Sequence, residues 1–204
     1  MARQKRQRQS KGDQPPQSRV RIIGGQWRSR LIGFPSVDGL RPTGDRVRET
    51  LFNWLGPHLA NSRCLDAFAG SGALGFEALS RGAKTAVFIE QHPQAAKILE
   101  QNKALLEATN ASIIRGDTLS VITDLAAASN EPLPPFDIVF LDPPFSAHLH
   151  TEVIARLIQF AMIAPKGLLY LEKPVNETVI TAPGWQLFKE KCSGSVCYQL
   201  WICD

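Results

Sequence analysis

What most constrains this chain is an alternation of short apolar runs with longer amphipathic stretches, beginning near Arg63. Residues 64–67, 85–89, 112–114, 136–141 and 167–171 are of strand length and rich in aliphatic and aromatic side chains. Between them, residues 73–81, 93–106, 119–128 and 149–160 carry apolar residues at helical spacing. A strand that reaches its neighbour only through a helix must run parallel to it, because antiparallel partners need no more than a tight turn. The last two runs, 185–189 and 197–202, are joined instead by the turn-forming Ser193-Gly194 and predict an antiparallel hairpin. The expected fold class is α/β. Seven strands form one mostly parallel sheet, covered by helices on both faces and closed by that C-terminal hairpin.

The segment before Arg63 differs in kind. Residues 1–18 are rich in Gln, Lys, Arg, Pro and Ser and are expected to be disordered when free. Residues 19–40 predict a small N-terminal β-hairpin that turns near Gly24-Gly25 and offers Arg19, Arg21, Trp27, Arg28 and Arg30 to a partner. Residues 41–204 then form the main domain. It opens on an amphipathic helix through Val47, Leu51, Trp54 and Leu55, capped near Thr43 or Asp45 and ended by Gly56-Pro57.

Charge is split along the same line. Residues 1–30 hold nine Lys/Arg against one acid, Asp13, whereas residues 31–204 hold fourteen against eighteen. A basic segment on a mildly acidic domain implies a polyanionic partner met at one place. Arginines beside an aromatic suit RNA, whose phosphates pair with guanidinium and whose bases stack on rings. No apolar run is long enough to cross a membrane, and no secretory signal is visible. Cys64, Cys192, Cys197 and Cys203 include no C-x-x-C pair, so no metal site is expected. Cys64 and Cys203 fall in apolar runs and read as buried thiols of a cytoplasmic protein, and nothing demands more than a monomer.

Ligands of such sheets bind at the carboxyl ends of the strands, and four of those ends carry suitable groups. After the first comes Asp66-Ala67-Phe68-Ala69-Gly70-Ser71-Gly72, where Gly70 to Gly75 matches the G-x-G-x-x-G pattern of a dinucleotide fingerprint. A pyrophosphate prefers backbone N–H groups alone, whereas Asp66 adds a carboxylate that suits the cationic end of S-adenosylmethionine. An NAD(P)-dependent oxidoreductase is the rival reading, and it lacks an evident hydride-transfer acid. Glu90 is placed for ribose hydroxyls, with Gln91 beside it. Asp117 and Thr118 are placed for an adenine, and Asp117 also reads as a helix N-cap.

The fourth strand ends in Asp142-Pro143-Pro144-Phe145. Two prolines fix the backbone and remove its N–H donors, leaving the Asp142 carboxylate and the Pro143 carbonyl as paired acceptors. Such a pair grips the two hydrogens of a planar amino group. Gripping draws the nitrogen toward tetrahedral geometry and stabilises the positive charge that grows on it as it attacks a methyl carbon. Phe145 is placed to stack on the base.

These residues resemble the amino-methyltransferases whose motif is Asp/Asn-Pro-Pro-Tyr/Phe. A longer likeness runs through residues 21–28, 40–43 and 45–55 and through Asp66 to Gly75, which are similar to the RsmD family. That resemblance implies a Rossmann-like class I methyltransferase fold and transfer from S-adenosylmethionine to N2 of one guanine. The guanine would lie in 16S rRNA of the small (30S) ribosomal subunit; amino methylation of another base, such as adenine N6, is the alternative. It implies that Thr43 closes over the methionyl end of the cofactor, with Gly70 at the methionine, Glu90 at the ribose, Asp117 at the adenine and residues 142–145 at the guanine. Two departures stand out: Ser146-Ala147-His148 where basic residues are expected, and Gln91-His92 where a more acidic pair is usual.

Overall fold

A computed structural model describes residues 17–35, 44–127, 134–144, 149–179 and 181–203. The expected alternation is present as β3 (Arg63–Asp66), α2 (Ala73–Ser80), β4 (Thr85–Glu90), α3 (Pro93–Leu106), β5 (Ala111–Arg115), α4 (Thr118–Ala127), β6 (Phe136–Leu141), α5 (His150–Gln159) and β7 (Ile163–Pro174). It closes with β8 (Gln186–Ser193) and β9 (Val196–Ile202). Ahead of it lie β1 (Gln17–Arg21), β2 (Leu31–Pro35) and α1 (Asp45–Leu59). The seven-stranded sheet has the order β5-β4-β3-β6-β7-β9-β8. Its first five strands are parallel, and β9 pairs antiparallel with both β7 and β8. The chain steps outward from β3 to β5 and then returns to β6 on the other side of β3. The order therefore reverses between β3 and β6, which opens a crevice at their carboxyl ends.

The two-residue period of the strands divides the core. Ile138, Phe140, Leu168 and Tyr170 face one way and pack with α1, α2, α3 and the β1–β2 hairpin. Val139, Leu141, Leu169 and Leu171 face the other way and pack with α4 and α5. Every residue of α2 is buried, because the sheet lies on one side of it and the hairpin on the other.

The hairpin pairs β1 and β2 antiparallel, Arg21 opposite Leu31, so the expected strand–turn–strand is present. Two sequence expectations change here. Trp27 is only 8% exposed and sits in the core, so its ring is not offered to a partner. The backbone around it docks on α2: Gln26 N–H donates to the Ser80 carbonyl (2.8 Å) and Trp27 N–H to Ser80 Oγ (2.9 Å). That docking turns the indole inward. The helix α1 also runs beyond the expected stop at Gly56-Pro57, with Pro57 inside its last turn. Pro57 forfeits one backbone bond, but buried Leu55 and Leu59 hold the turn against the core. Gly44 is its N-cap, Asp45 its first residue, and Thr43 lies outside the described residues.

Among the cysteines, Cys192 and Cys197 face each other across the β8–β9 hairpin and form a disulfide. Their separation of five residues gave no sign of this until the register was known. Cys64 and Cys203 are free and buried, and burial pushes the Cys64 thiol up to about 12. Among the described residues no helix is long and apolar enough to cross a membrane, and no His/Cys/Asp/Glu group could hold a metal ion.

Candidate active site

The crevice is built from four strand ends. β3 delivers Asp66 to its floor, where Oδ2 accepts the Gly75 N–H at 3.0 Å inside the first turn of α2. The loop between them needs left-handed backbone at Gly70 (φ 51°) and Gly72 (φ 75°). A Cβ on Gly72 would also lie 2.6 Å from Leu99 and 2.7 Å from Phe76, so this turn is closed to larger residues. Ala67 N–H donates to the Phe140 carbonyl at 3.0 Å, which starts the loop alongside the end of β6.

Glu90, at the end of β4, organises the next strand end. Its Oε2 accepts Gly70 N–H (2.8 Å) and its Oε1 accepts His92 N–H (2.7 Å), so one carboxylate ties the glycine loop to the β4–α3 turn. Each oxygen keeps a further lone pair for a ligand hydroxyl. Thr118 is buried and donates from Oγ1 to the Ala67 carbonyl at 2.7 Å, which locks α4 to the same loop. Asp117 is exposed and accepts from both Ser120 N–H and Ser120 Oγ at 3.0 Å, the N-cap geometry expected of it. Phe68 is half-buried against the α4/α5 side of the core, and Gln91 is exposed.

Asp66 is buried. Burial pushes its carboxyl up to about 7, a shift opposed by the Gly75 hydrogen bond and reinforced by the nearby Glu90 charge. Cationic groups are therefore favoured beside it.

On the other side of the switch point, Asp142 is half-buried, Pro143 buried and Pro144 exposed, directly after β6. Phe145 and the departure at Ser146-Ala147-His148 lie outside the described residues. β7 brings two further groups to this end, Tyr170 and Glu172, joined by a 3.0 Å bond from the phenol to Glu172 Oε2. Arg19, Arg21, Arg28 and Arg30 are all exposed on the hairpin and its turn.

Sequence reasoning passed over the group that fastens the hairpin. Glu77 of α2 is fully buried and accepts Ile23 N–H (2.7 Å), Gly24 N–H (2.8 Å) and Arg81 Nε–H (2.6 Å). The fully buried Arg48 guanidinium stands 3.7 Å from its Oε2. One signal was present: Glu77 is the only charged residue in α2, whose other residues are apolar apart from Ser80. Asn102 adds a second tie, exchanging hydrogen bonds with Gly33 N–H (2.9 Å) and Gly33 carbonyl (2.8 Å).

A parallel sheet with this strand order, a glycine loop after its first strand and acids at the next two strand ends define a class I methyltransferase fold. The family model described as Conserved hypothetical protein 95 matches residues 20–202, and the chain belongs to that family. It is 45% identical over 184 residues to ribosomal RNA small subunit methyltransferase D of Haemophilus influenzae, spanning 89% of this chain and 93% of that protein. The solved structure of yhhF from Escherichia coli superimposes with a TM-score of 0.79 at 44% identity, over 91% of this chain and 98% of that one. SMU.776, solved in complex with SAH, shares the fold at TM-score 0.71 and 13% identity, over 94% of this chain and 57% of that one.

Proposed function

We propose that this chain transfers a methyl group from S-adenosylmethionine to the exocyclic N2 of a guanine in 16S rRNA of the small (30S) ribosomal subunit. The observation that carries the reading is the placement of Asp142-Pro143-Pro144 at the switch point, beside the loop through Gly70 and Gly72. The 45% identity to a small-subunit rRNA methyltransferase supports the choice of substrate.

The residues present fit the cofactor. Asp66 suits an ammonium, the glycine loop leaves backbone open to close approach, Glu90 has lone pairs for ribose hydroxyls, and Asp117 is exposed where an adenine amino group could donate. Bound there, the cofactor supplies an electrophilic methyl on sulfur. The chain's own part is to hold the acceptor. Asp142 and the Pro143 carbonyl accept hydrogen bonds from the two amino N–H groups, keep the nitrogen lone pair directed at the methyl, and stabilise the positive charge on nitrogen until it gives up one proton after transfer. Phe145 is the residue assigned to stack on the base, and Thr43 to close over the cofactor. Exposed Arg19, Arg21, Arg28 and Arg30 supply phosphate contacts; Trp27 is left out of that set because it is buried.

Unmodified small subunits incubated with methyl-labelled cofactor, followed by mapping of the label, test the reading. Label is expected at a single guanine N2. Label on adenine N6 or on protein would overturn it.

Cofactor affinity carries a pH signature. A cation bound beside Asp66 favours the carboxylate, so binding releases a proton where the free enzyme holds Asp66 protonated, below about 7. Affinity is therefore expected to rise about 5–10-fold between pH ~6 and ~7.5. Titration calorimetry across that range checks it, and Asp66→Asn should flatten the dependence.

The basic tail gives a second expectation. Residues 1–16 carry five Lys/Arg, and β1 begins at Gln17, so deleting 1–16 leaves the hairpin intact. If those cations meet phosphates, the slope of log K against log salt should fall by about 4–5 units on duplex-like RNA, less on single strands. An unchanged slope would remove the tail from the interface.

A further inference from the structure

β6 and β7 run in parallel register up to Leu141 opposite Leu171, so Asp142 and Glu172 are the next residues of their chains at the carboxyl edge, and both lie close enough to act on the same phenol. Both carboxylates act on the buried Tyr170 phenol and, after burial itself, push its pKa well above the ordinary value. The phenol therefore stays a neutral donor, and it donates to Glu172 Oε2 at 3.0 Å. The backbone at Glu172 is also held. Buried His150 donates from Nε2 to its carbonyl at 2.7 Å, while His150 Nδ1 lies 3.0 Å from Glu177 Oε1. Lys173 Nζ in turn donates to the Glu177 carbonyl at 2.6 Å.

One oxygen of Glu172 is thus fixed by Tyr170, and Oε1 accepts no hydrogen bond among the described residues. Burial pushes the Glu172 carboxyl up, and a donor at Oε1 would favour its ionised form. Bases differ at the atom next to the reactive amino group. Guanine carries N1–H beside its N2 amino group, whereas adenine carries a bare N1 lone pair beside its N6 amino group. A carboxylate next to the Asp142 grip accepts from the first and repels the second.

We propose that Glu172 is the specificity-determining residue for guanine: its Oε1 accepts the N1–H while Asp142 and the Pro143 carbonyl hold the N2 amino group, with Tyr170 setting its orientation. The proposal rests on the guanine reading above and adds the residue that makes the choice.

The test compares two small-subunit substrates, one with guanine and one with 2-aminopurine at the methylated nucleotide. 2-Aminopurine keeps the amino group but presents a lone pair at N1. Wild-type enzyme is expected to prefer guanine by at least about 100-fold, since a site built to accept a hydrogen bond rejects an analogue that cannot donate it. In Glu172→Gln, Tyr170 holds the amide oxygen and turns the NH2 toward the base. Guanine then meets a donor, 2-aminopurine meets a partner, and the preference should reverse. Glu172→Ala removes the group and should bring the two rates within about threefold of each other. Cofactor affinity and thermal midpoint report folding in each variant. If either folded variant slows both substrates equally and keeps the wild-type ratio, Glu172 is structural and the proposal falls. If the wild-type label maps to a base other than guanine, the functional reading itself fails first, and mapping tells the two failures apart.

Discussion

Replacing Asp142 by alanine is expected to lower the single-turnover methylation rate about 10²–10³-fold, equivalent to roughly 2.7–4 kcal/mol, while leaving cofactor affinity within about twofold. The split follows from the sheet. Asp142 stands at the end of β6, whereas the groups assigned to the cofactor lie after β3, β4 and β5. An exocyclic amino group is a poor nucleophile because its lone pair is delocalised into the ring. The Asp142 carboxylate matters most when charge has built up on nitrogen, so its loss appears in the rate and not in binding. Asp142→Asn keeps an acceptor oxygen and loses the charge, so about a tenfold loss is expected, between wild type and alanine. Rapid-quench measurement on unmodified small subunits, with cofactor binding measured separately, gives both numbers. Full activity in Asp142→Ala would mean that another group grips the amine, with Glu172 on the neighbouring strand the first acceptor to test.

The parts of the fold that were legible in the sequence are those governed by local rules. Strand and helix spacing placed β4, α3, β6 and the C-terminal hairpin within a few residues, because period and turn residues are written into consecutive positions. Asp142-Pro143-Pro144 was legible for the same reason, since two prolines announce a fixed backbone wherever they occur. What escaped depends on which distant segment covers a given face. Trp27 looks like an offered aromatic among arginines, and only the α2 surface at Ser80 shows why it turns inward. Gly56-Pro57 looks like a helix stop until the burial of Leu59 holds the last turn. Cys192 and Cys197 pair because the β8–β9 register sets them opposite, which spacing alone does not reveal. Glu172 was invisible for a similar reason: nothing in Leu171-Glu172-Lys173 marks it until the β6–β7 register brings its strand end to the same edge as Asp142.

The largest expected effect on stability lies at Glu77, far from any group assigned to the chemistry. Glu77→Leu should destabilise the protein by about 3–5 kcal/mol, because it takes the acceptor from two part-buried N–H groups and one carboxylate from buried Arg48, which keeps only Asp45 at 2.7 Å, and from Arg81. For a chain of 204 residues that corresponds to a fall in Tm of about 6–20 °C. The loss falls either mainly on the Arg48 charge or mainly on the Ile23 and Gly24 N–H groups. A double-mutant cycle separates the two cases. If the Glu77 charge chiefly balances Arg48, at 3.7 Å, then Arg48→Met should cost much less in a Glu77→Leu background than alone. If Glu77 chiefly satisfies the Ile23 and Gly24 N–H groups, the two changes should add, because no substitution at Arg48 restores those acceptors. The contacts favour a large share for the backbone. Two N–H bonds of 2.7–2.8 Å come from the turn that carries the hairpin, and the Ser80 hydroxyl and carbonyl hold the adjacent residues of the same turn. Losing Glu77 should therefore release the hairpin before the sheet unfolds. Trypsin would then cleave after Arg28 or Arg30 at temperatures where the wild-type turn resists, while near-ultraviolet dichroism of the main core stays native. Because Gly72 caps the start of α2, the same loosening is expected to weaken cofactor binding, which couples the basic face of the hairpin to the glycine loop through one buried carboxylate.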